Sequence, residues 1–124
     1  MEIKCGIDII EVERVKECIE NLGENFLNKI FTKAEIEYCN SKKNMKYQHF
    51  AARFAAKEAI FKAISSILSD KYEISWQNAQ VLVDRNGRPK VYFVDVDLPK
   101  IESIDISLSH IKEYAIANCT VILK

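Results

Sequence analysis

The sequence predicts an α+β fold: an N-terminal strand, then helices including one long central helix, then a C-terminal antiparallel sheet. Three observations predict it. Residues 3–9 alternate apolar and other side chains, with the period of a strand. Residues 45–68 hold no glycine or proline and are rich in alanine and lysine, which favours an uninterrupted helix. Beyond residue 74, alternating runs are separated by turn signals, the strongest being Asn86-Gly87.

In the opening run Ile3, Cys5, Ile7 and Ile9 alternate with Lys4, Gly6 and Asp8. The period then changes. Val12, Val15, Ile19 and Leu22 follow helical spacing, and Gly23 stands where a helix C-cap would be. Thr32 and Glu35 have the spacing of a capping box, which starts a second helix through Tyr38. Residues 40–44 read as a polar loop. In the long helix, Phe50, Phe54, Phe61, Ile64 and Leu68 share one broad face. Residues 74–83 read as a strand that turns through residues 84–89 and returns antiparallel over 91–96. Ile104, Ile106 and Leu108 alternate with Asp105, Ser107 and Ser109; after a turn near His110, residues 114–123 alternate again.

The 124 residues fit a single domain, 1–124, with one core. With 48% hydrophobic and 29% charged residues, the composition is that of a globular protein, not a disordered one. The formal net charge of zero supplies no global field for nucleic acid. Lys42, Lys43 and Lys46 offer only a local basic patch. No leader opens the chain, and no apolar run approaches the ~20 residues needed to span a bilayer. The four cysteines, Cys5, Cys18, Cys39 and Cys119, lack the close spacing of a zinc knuckle or redox motif. They read as small apolar fillers, and a reducing cytoplasm is the expected location.

Three ionisable residues sit where chemistry could follow. Asp8 lies inside an apolar strand, and burying a carboxylate is costly unless it is paired or binds a metal. It also has capping-box spacing to Glu11, so it could cap the following helix. Glu58 lies at the edge of the long helix's apolar stripe, one turn before Lys62; the two could form a plain helix salt bridge or a phosphate-handling pair. His110 stands at a strand end, after Ser107-Leu108-Ser109. His49 reads as structural or exposed. Two carboxylates without a cysteine or histidine cluster favour a hard ion such as magnesium over zinc. Magnesium, carboxylates and a lysine are what phosphoryl transfer uses, and no Walker glycine loop is present. At the level of the residues, three readings stay open: phosphate transfer, magnesium-dependent hydrolysis, and a non-catalytic module binding a partner through its long helix.

Four segments in order resemble one family. Gly6-Ile7-Asp8-Ile9-Ile10-Glu11-Val12-Glu13-Arg14-Val15 is similar to the N-terminal signature of the holo-(acyl-carrier-protein) synthases, in the 4'-phosphopantetheinyl transferase superfamily. Phe31-Thr32-Lys33-Ala34-Glu35 to Tyr38-Cys39 resembles their second helix. The stretch from Phe50 to Ala59, followed by Lys62-Ala63, resembles their central signature, and Ser107-Leu108-Ser109-His110 with Tyr114-Ala115-Ile116-Ala117 their C-terminal motif. The resemblance implies the 4'-phosphopantetheinyl transferase fold and transfer of phosphopantetheine from coenzyme A to a serine of apo acyl carrier protein. It implies that Asp8 and Glu58 hold magnesium and that Lys62 contacts the phosphate. By the same resemblance Ser109 and His110 line the coenzyme A site, while Asn86, Gly87, Arg88 and Pro89 lie against the adenine nucleotide. Arg14 would face an acidic helix of the carrier. A homotrimer with active sites between subunits is also implied. The chain departs from the family in two places: residues 64–70 have no glycine, and His49 stands where arginine or glutamine is common.

Overall fold

The computed structural model describes residues 1–70 and 73–124. Strand β1 (Glu2–Glu11) leads directly into helix α1 (Val12–Leu22). Helices α2 (Glu24–Ile30) and α3 (Lys33–Asn40) follow, and then the central helix α4 (Lys46–Ile64). A hairpin of β2 (Ala79–Val83) and β3 (Pro89–Phe93) precedes the long strands β4 (Ile101–His110) and β5 (Tyr114–Leu123). The N-terminal strand joins the C-terminal ones in an antiparallel sheet of order β1-β5-β4, while β2-β3 forms a separate ribbon. Among the described residues, no helix is long and apolar enough to cross a membrane.

The helix that caps itself is α3. The Thr32 side chain accepts from the Glu35 backbone, and Glu35 Oε1 accepts from the Thr32 backbone at 2.8 Å. Helix α1 starts differently. Its N-cap is Glu11, which makes no side-chain cap bond, and Val12 N donates to the Glu113 carbonyl at 2.9 Å. The turn between β4 and β5 thus takes a helix donor that would otherwise be orphaned. Asp8 is not a cap; it lies within β1, four residues before the helix starts at Val12.

Helix α4 is the axis of the molecule. Nearly every side is buried, so the single apolar face expected from the phenylalanines is too narrow a description. Ala51, Ala55, Ala56, Ala59 and Ala63 are all buried, which lets the neighbours approach closely. Phe50 and Ile64 are buried too, but Phe54 and Phe61 lie on a partly open stripe with Glu58 and Lys62. The helix ends at Ile64, and residues Ser65–Ile67 continue as a turn of 3₁₀ helix, so the expected extension to Leu68 is a tighter helix. The expected strand over 74–83 begins only at Ala79, because residues Trp76–Asn78 form another 3₁₀ turn; its partner ends at Phe93.

Strand β1 crosses α4 at Gly6. A Cβ there would run into the Ala59 carbonyl oxygen and lie 2.9 Å from Ala63 N, so only glycine permits this approach. The crossing turns Gly6, Asp8 and Ile10 toward the helix. The alternate set faces outward: Ile3, Ile7 and Ile9 are 67%, 58% and 61% exposed.

Candidate active site

Asp8 and Glu58 meet because β1 lies along α4. Both line a cleft of about 540 Å³ with Lys62, Arg14, Phe26 and Phe54. Lys62 Nζ donates to the Ile7 carbonyl at 2.9 Å and stands 3.3 Å from Asp8 Oδ1. Among the described residues the ion pair of this cleft is Lys62–Asp8 across elements, rather than the Glu58–Lys62 pair that helical spacing allows. Glu58 is left outside it. Burial first, and then the neighbouring Asp8 carboxylate, push the Glu58 carboxyl pKa upward, while Lys62 pulls it back in part. With three carboxylates, Asp8, Glu11 and Glu58, against two cations, Arg14 and Lys62, the cleft is short of positive charge.

That shortage fits a hard cation. Among the described residues, no cluster of three or more His, Cys, Asp or Glu side chains could cage a metal. Asp8 and Glu58 therefore suit an ion that takes one or two carboxylates and fills its remaining positions with water and phosphate oxygens, as magnesium does.

A second, smaller pocket of about 160 Å³ lies across α4 and is lined by Tyr38, His49, Arg53, Gly87, Pro89 and His110, among others. His49 and Glu58 are nine residues apart, which at ~100° per residue puts them about half a turn apart on the helix. Gly87, with φ of 79°, holds the left-handed corner of the hairpin turn and has open space where a Cβ would be. The Asp84 side chain braces this turn by accepting from the Asn86 and Arg88 amides at 2.8 and 3.0 Å.

The structure thus sorts the expected site residues into two groups. Asp8, Arg14, Glu58 and Lys62 share the cleft. Gly87, Pro89 and His110 share the smaller pocket. Ser109 belongs to neither, because strand alternation sends it to the opposite, exposed face of the sheet beside Ile116. Asn86 and Arg88 are exposed on the turn. Arg53 is the residue sequence reasoning missed. It is 2% exposed, and its Nε is buried with no hydrogen-bond partner among the described residues. The available signal was an arginine flanked by Ala51, Ala52, Ala55 and Ala56, where small neighbours leave no polar face for it to occupy.

The fold and the two pockets define a small α+β protein with a carboxylate–lysine cleft suited to phosphate chemistry. The chain belongs to the 4'-phosphopantetheinyl transferase superfamily, whose family model matches residues 4–119. It is 43% identical over 128 residues to the holo-[acyl-carrier-protein] synthase of Ruminiclostridium cellulolyticum, a match covering 99% of this chain and 94% of the relative. The fold is similar to that of the Chronobacterium ammoniagenes ACPS–CoA complex, with TM-score 0.85, 25% identity, and coverage of 100% and 99% of the two chains. It is also similar to Helicobacter pylori holo-[acyl-carrier-protein] synthase in complex with coenzyme A, with TM-score 0.82, 28% identity, and coverage of 95% and 99%.

Proposed function

We propose that this chain transfers the 4'-phosphopantetheine group of coenzyme A to a serine of apo acyl carrier protein, releasing adenosine 3',5'-bisphosphate. The convergence of Asp8, Glu58 and Lys62 in one cleft carries this reading. Asp8 and Glu58 would hold magnesium, whose charge offsets that of the coenzyme A pyrophosphate. Lys62 presents its ammonium to the same phosphates. The serine oxygen forms a bond to the phosphorus that carries pantetheine, and the bond from that phosphorus to the adenosine bisphosphate oxygen breaks. The serine proton passes to Glu58 or to a water that it orients.

The nucleotide end of coenzyme A fits the second pocket, whose charge logic is the opposite of the cleft's. Its lining has Arg53 and two histidines and no carboxylate, so a phosphate group can enter without a metal. One copy of the chain holds the two sites on opposite sides of α4. A coenzyme A lying across a subunit boundary would use the cleft of one copy and the pocket of its neighbour. The exposed face of β1 and β5, where Ile9 pairs with Ile116 and Ile3, Ile7 and Tyr114 lie on the same side, supports such self-association. We take the assembly to be a trimer on the strength of the sequence resemblance.

The carrier would approach over α1. Arg14, Cys18 and Leu22 follow one another at i, i+4 and i+8 and line a groove beside the cleft. That face offers Arg14 and an apolar strip to an acidic helix, with the Glu17 carboxylate and Asn21 beside them.

Intact-mass spectrometry of an apo acyl carrier protein incubated with this protein, coenzyme A and magnesium tests the reading. The expected result is the gain of one phosphopantetheine, lost when the metal is chelated. An unchanged carrier mass with folded protein and several carriers would overturn it.

A further inference from the structure

The pocket across α4 is built around a guanidinium whose Nε, among the described residues, has no acceptor. Arg53 Cζ lies 4.2 Å over the Tyr38 ring, and Nη1 donates to the His49 carbonyl at 3.4 Å. Nε is buried and unpartnered. A buried donor left unpaired costs ~1–3 kcal/mol, so the pocket gains from any anion that reaches it.

The two histidines beside Arg53 are in contact with each other. The His49 and His110 rings meet edge to face with centroids 5.2 Å apart, and Tyr38 packs edge-on against His49 at 5.8 Å. The groups facing His49 come from every side: Arg53 on its own helix, Tyr38 from α3, Lys42 just beyond α3, and His110 from β4. The hairpin contributes Gly87 and Pro89, which carry no charge. A protonated His49 would therefore face only neutral or positive groups. Burial first, then Arg53, His110 and Lys42, hold its pKa down to about 4.

We propose that His49 is a specificity-determining residue that takes up a proton when a phosphomonoester enters this pocket, so that recognition of the nucleotide's free phosphate is linked to pH. This inference rests on the reading that the pocket holds the nucleotide end of coenzyme A. The phosphate supplies the negative charge that the other neighbours of His49 lack, and its oxygens accept from both the imidazolium and Arg53. The sign follows from linkage. A ligand that favours the protonated form of a group binds more tightly as pH falls toward the range where that form is reached. A nucleotide without the free phosphate brings no such charge and shows no such coupling.

Titration calorimetry of the full chain tests this, with coenzyme A and 3'-dephospho-coenzyme A in buffers of different ionisation enthalpy, for the wild type and His49→Gln. Proton changes of the phosphate itself are common to both proteins and cancel in the difference. The wild type should take up more protons per coenzyme A than His49→Gln, and the two should match with the dephospho ligand. Preference of the wild type for coenzyme A over the dephospho form should rise about threefold more than that of His49→Gln between pH 7.5 and pH 6. Equal proton uptake in the two proteins, with the preference for coenzyme A intact, overturns the role of His49 and leaves the pocket assignment standing. Loss of the preference itself, with Arg53→Met binding both ligands as the wild type does, overturns the pocket assignment and the inference with it.

Discussion

Helix α4 carries two lysine–carboxylate pairs five residues apart, and they have opposite characters. Lys57 Nζ lies 3.0 Å from Glu35 Oε1, and both side chains are fully buried. Every donor of Lys57 is used, since it also reaches the carbonyls of Trp76 at 2.9 Å and Ala79 at 2.7 Å. Glu35 is equally occupied; besides capping α3, its Oε2 accepts from Val81 N at 2.8 Å. This pair ties α3, α4 and the start of the hairpin together. Lys62 and Asp8, by contrast, are 54% and 20% exposed and share their cleft with Glu58, which has no ion-pair partner among the described residues. A pair whose partners are all within the protein holds structure; one short of partners can accept a ligand. The two also differ in how they should fail.

The largest effect belongs to the open pair. Asp8→Ala should lower transfer to carrier protein by ~10³-fold or more, on the scale of losing a group that stabilises charge in the transition state. Its circular dichroism and unfolding midpoint should stay close to wild type, because an exposed ion pair contributes only ~0–1 kcal/mol. A variant retaining full activity would make Asp8 a surface partner of Lys62 and nothing more. The buried pair fails the other way. Lys57→Met strands the Glu35 carboxylate without a counter-ion, which should cost ~3–5 kcal/mol in urea denaturation. Lys62→Met, the matched change five residues on, should cost less than ~1 kcal/mol in the same experiment, its loss appearing as weaker coenzyme A binding. Equal stability losses in the two would abolish the distinction. Gly6→Ala should fall between them at ~1–3 kcal/mol, since the methyl group must push β1 away from the Ala59 carbonyl.

The same contrast explains what could be read from the sequence. Elements with local causes were legible. Thr32 and Glu35 mark the start of α3, Asn86-Gly87 marks the hairpin, and alternation from Ile104 to Leu108 and from Tyr114 to Leu123 marks β4 and β5. Helix α2 was missed because it has no side-chain cap and starts directly at Gly23, the expected stop of α1. In α4, Arg53 and Lys57 were passed over. They are buried because their partners, Tyr38 and Glu35, arrive from α3, and no spacing within one helix names those partners. Asp8 had two readings for the same reason: its spacing to Glu11 is local, while its approach to Lys62 bridges 54 positions. The outward apolar face of β1 was hidden as well, because alternation fixes a strand's two faces without saying which one meets the helix.

The smallest expected effect is the one that separates charge shortage from mere burial at the cleft. Folding raises the pKa of Glu58, so the folded chain holds that proton more tightly than the unfolded chain does. The stability this contributes is complete below the ordinary carboxylate range and is lost as pH rises through the folded pKa. At neutral pH, then, ionised Glu58 works against folding. Glu58→Gln should raise the thermal midpoint at pH 7 by roughly 2 °C, a small gain because the group is partly screened by solvent. The gain should vanish below about pH 4, where wild-type Glu58 is protonated as well. Magnesium adds the second half of the test. If Asp8 and Glu58 hold the ion, millimolar magnesium should raise the wild-type midpoint and close the gap, while leaving Glu58→Gln where it was. A variant less stable than wild type at pH 7, or one that responds to magnesium as the wild type does, would show that the Glu58 carboxylate serves packing and not a cation.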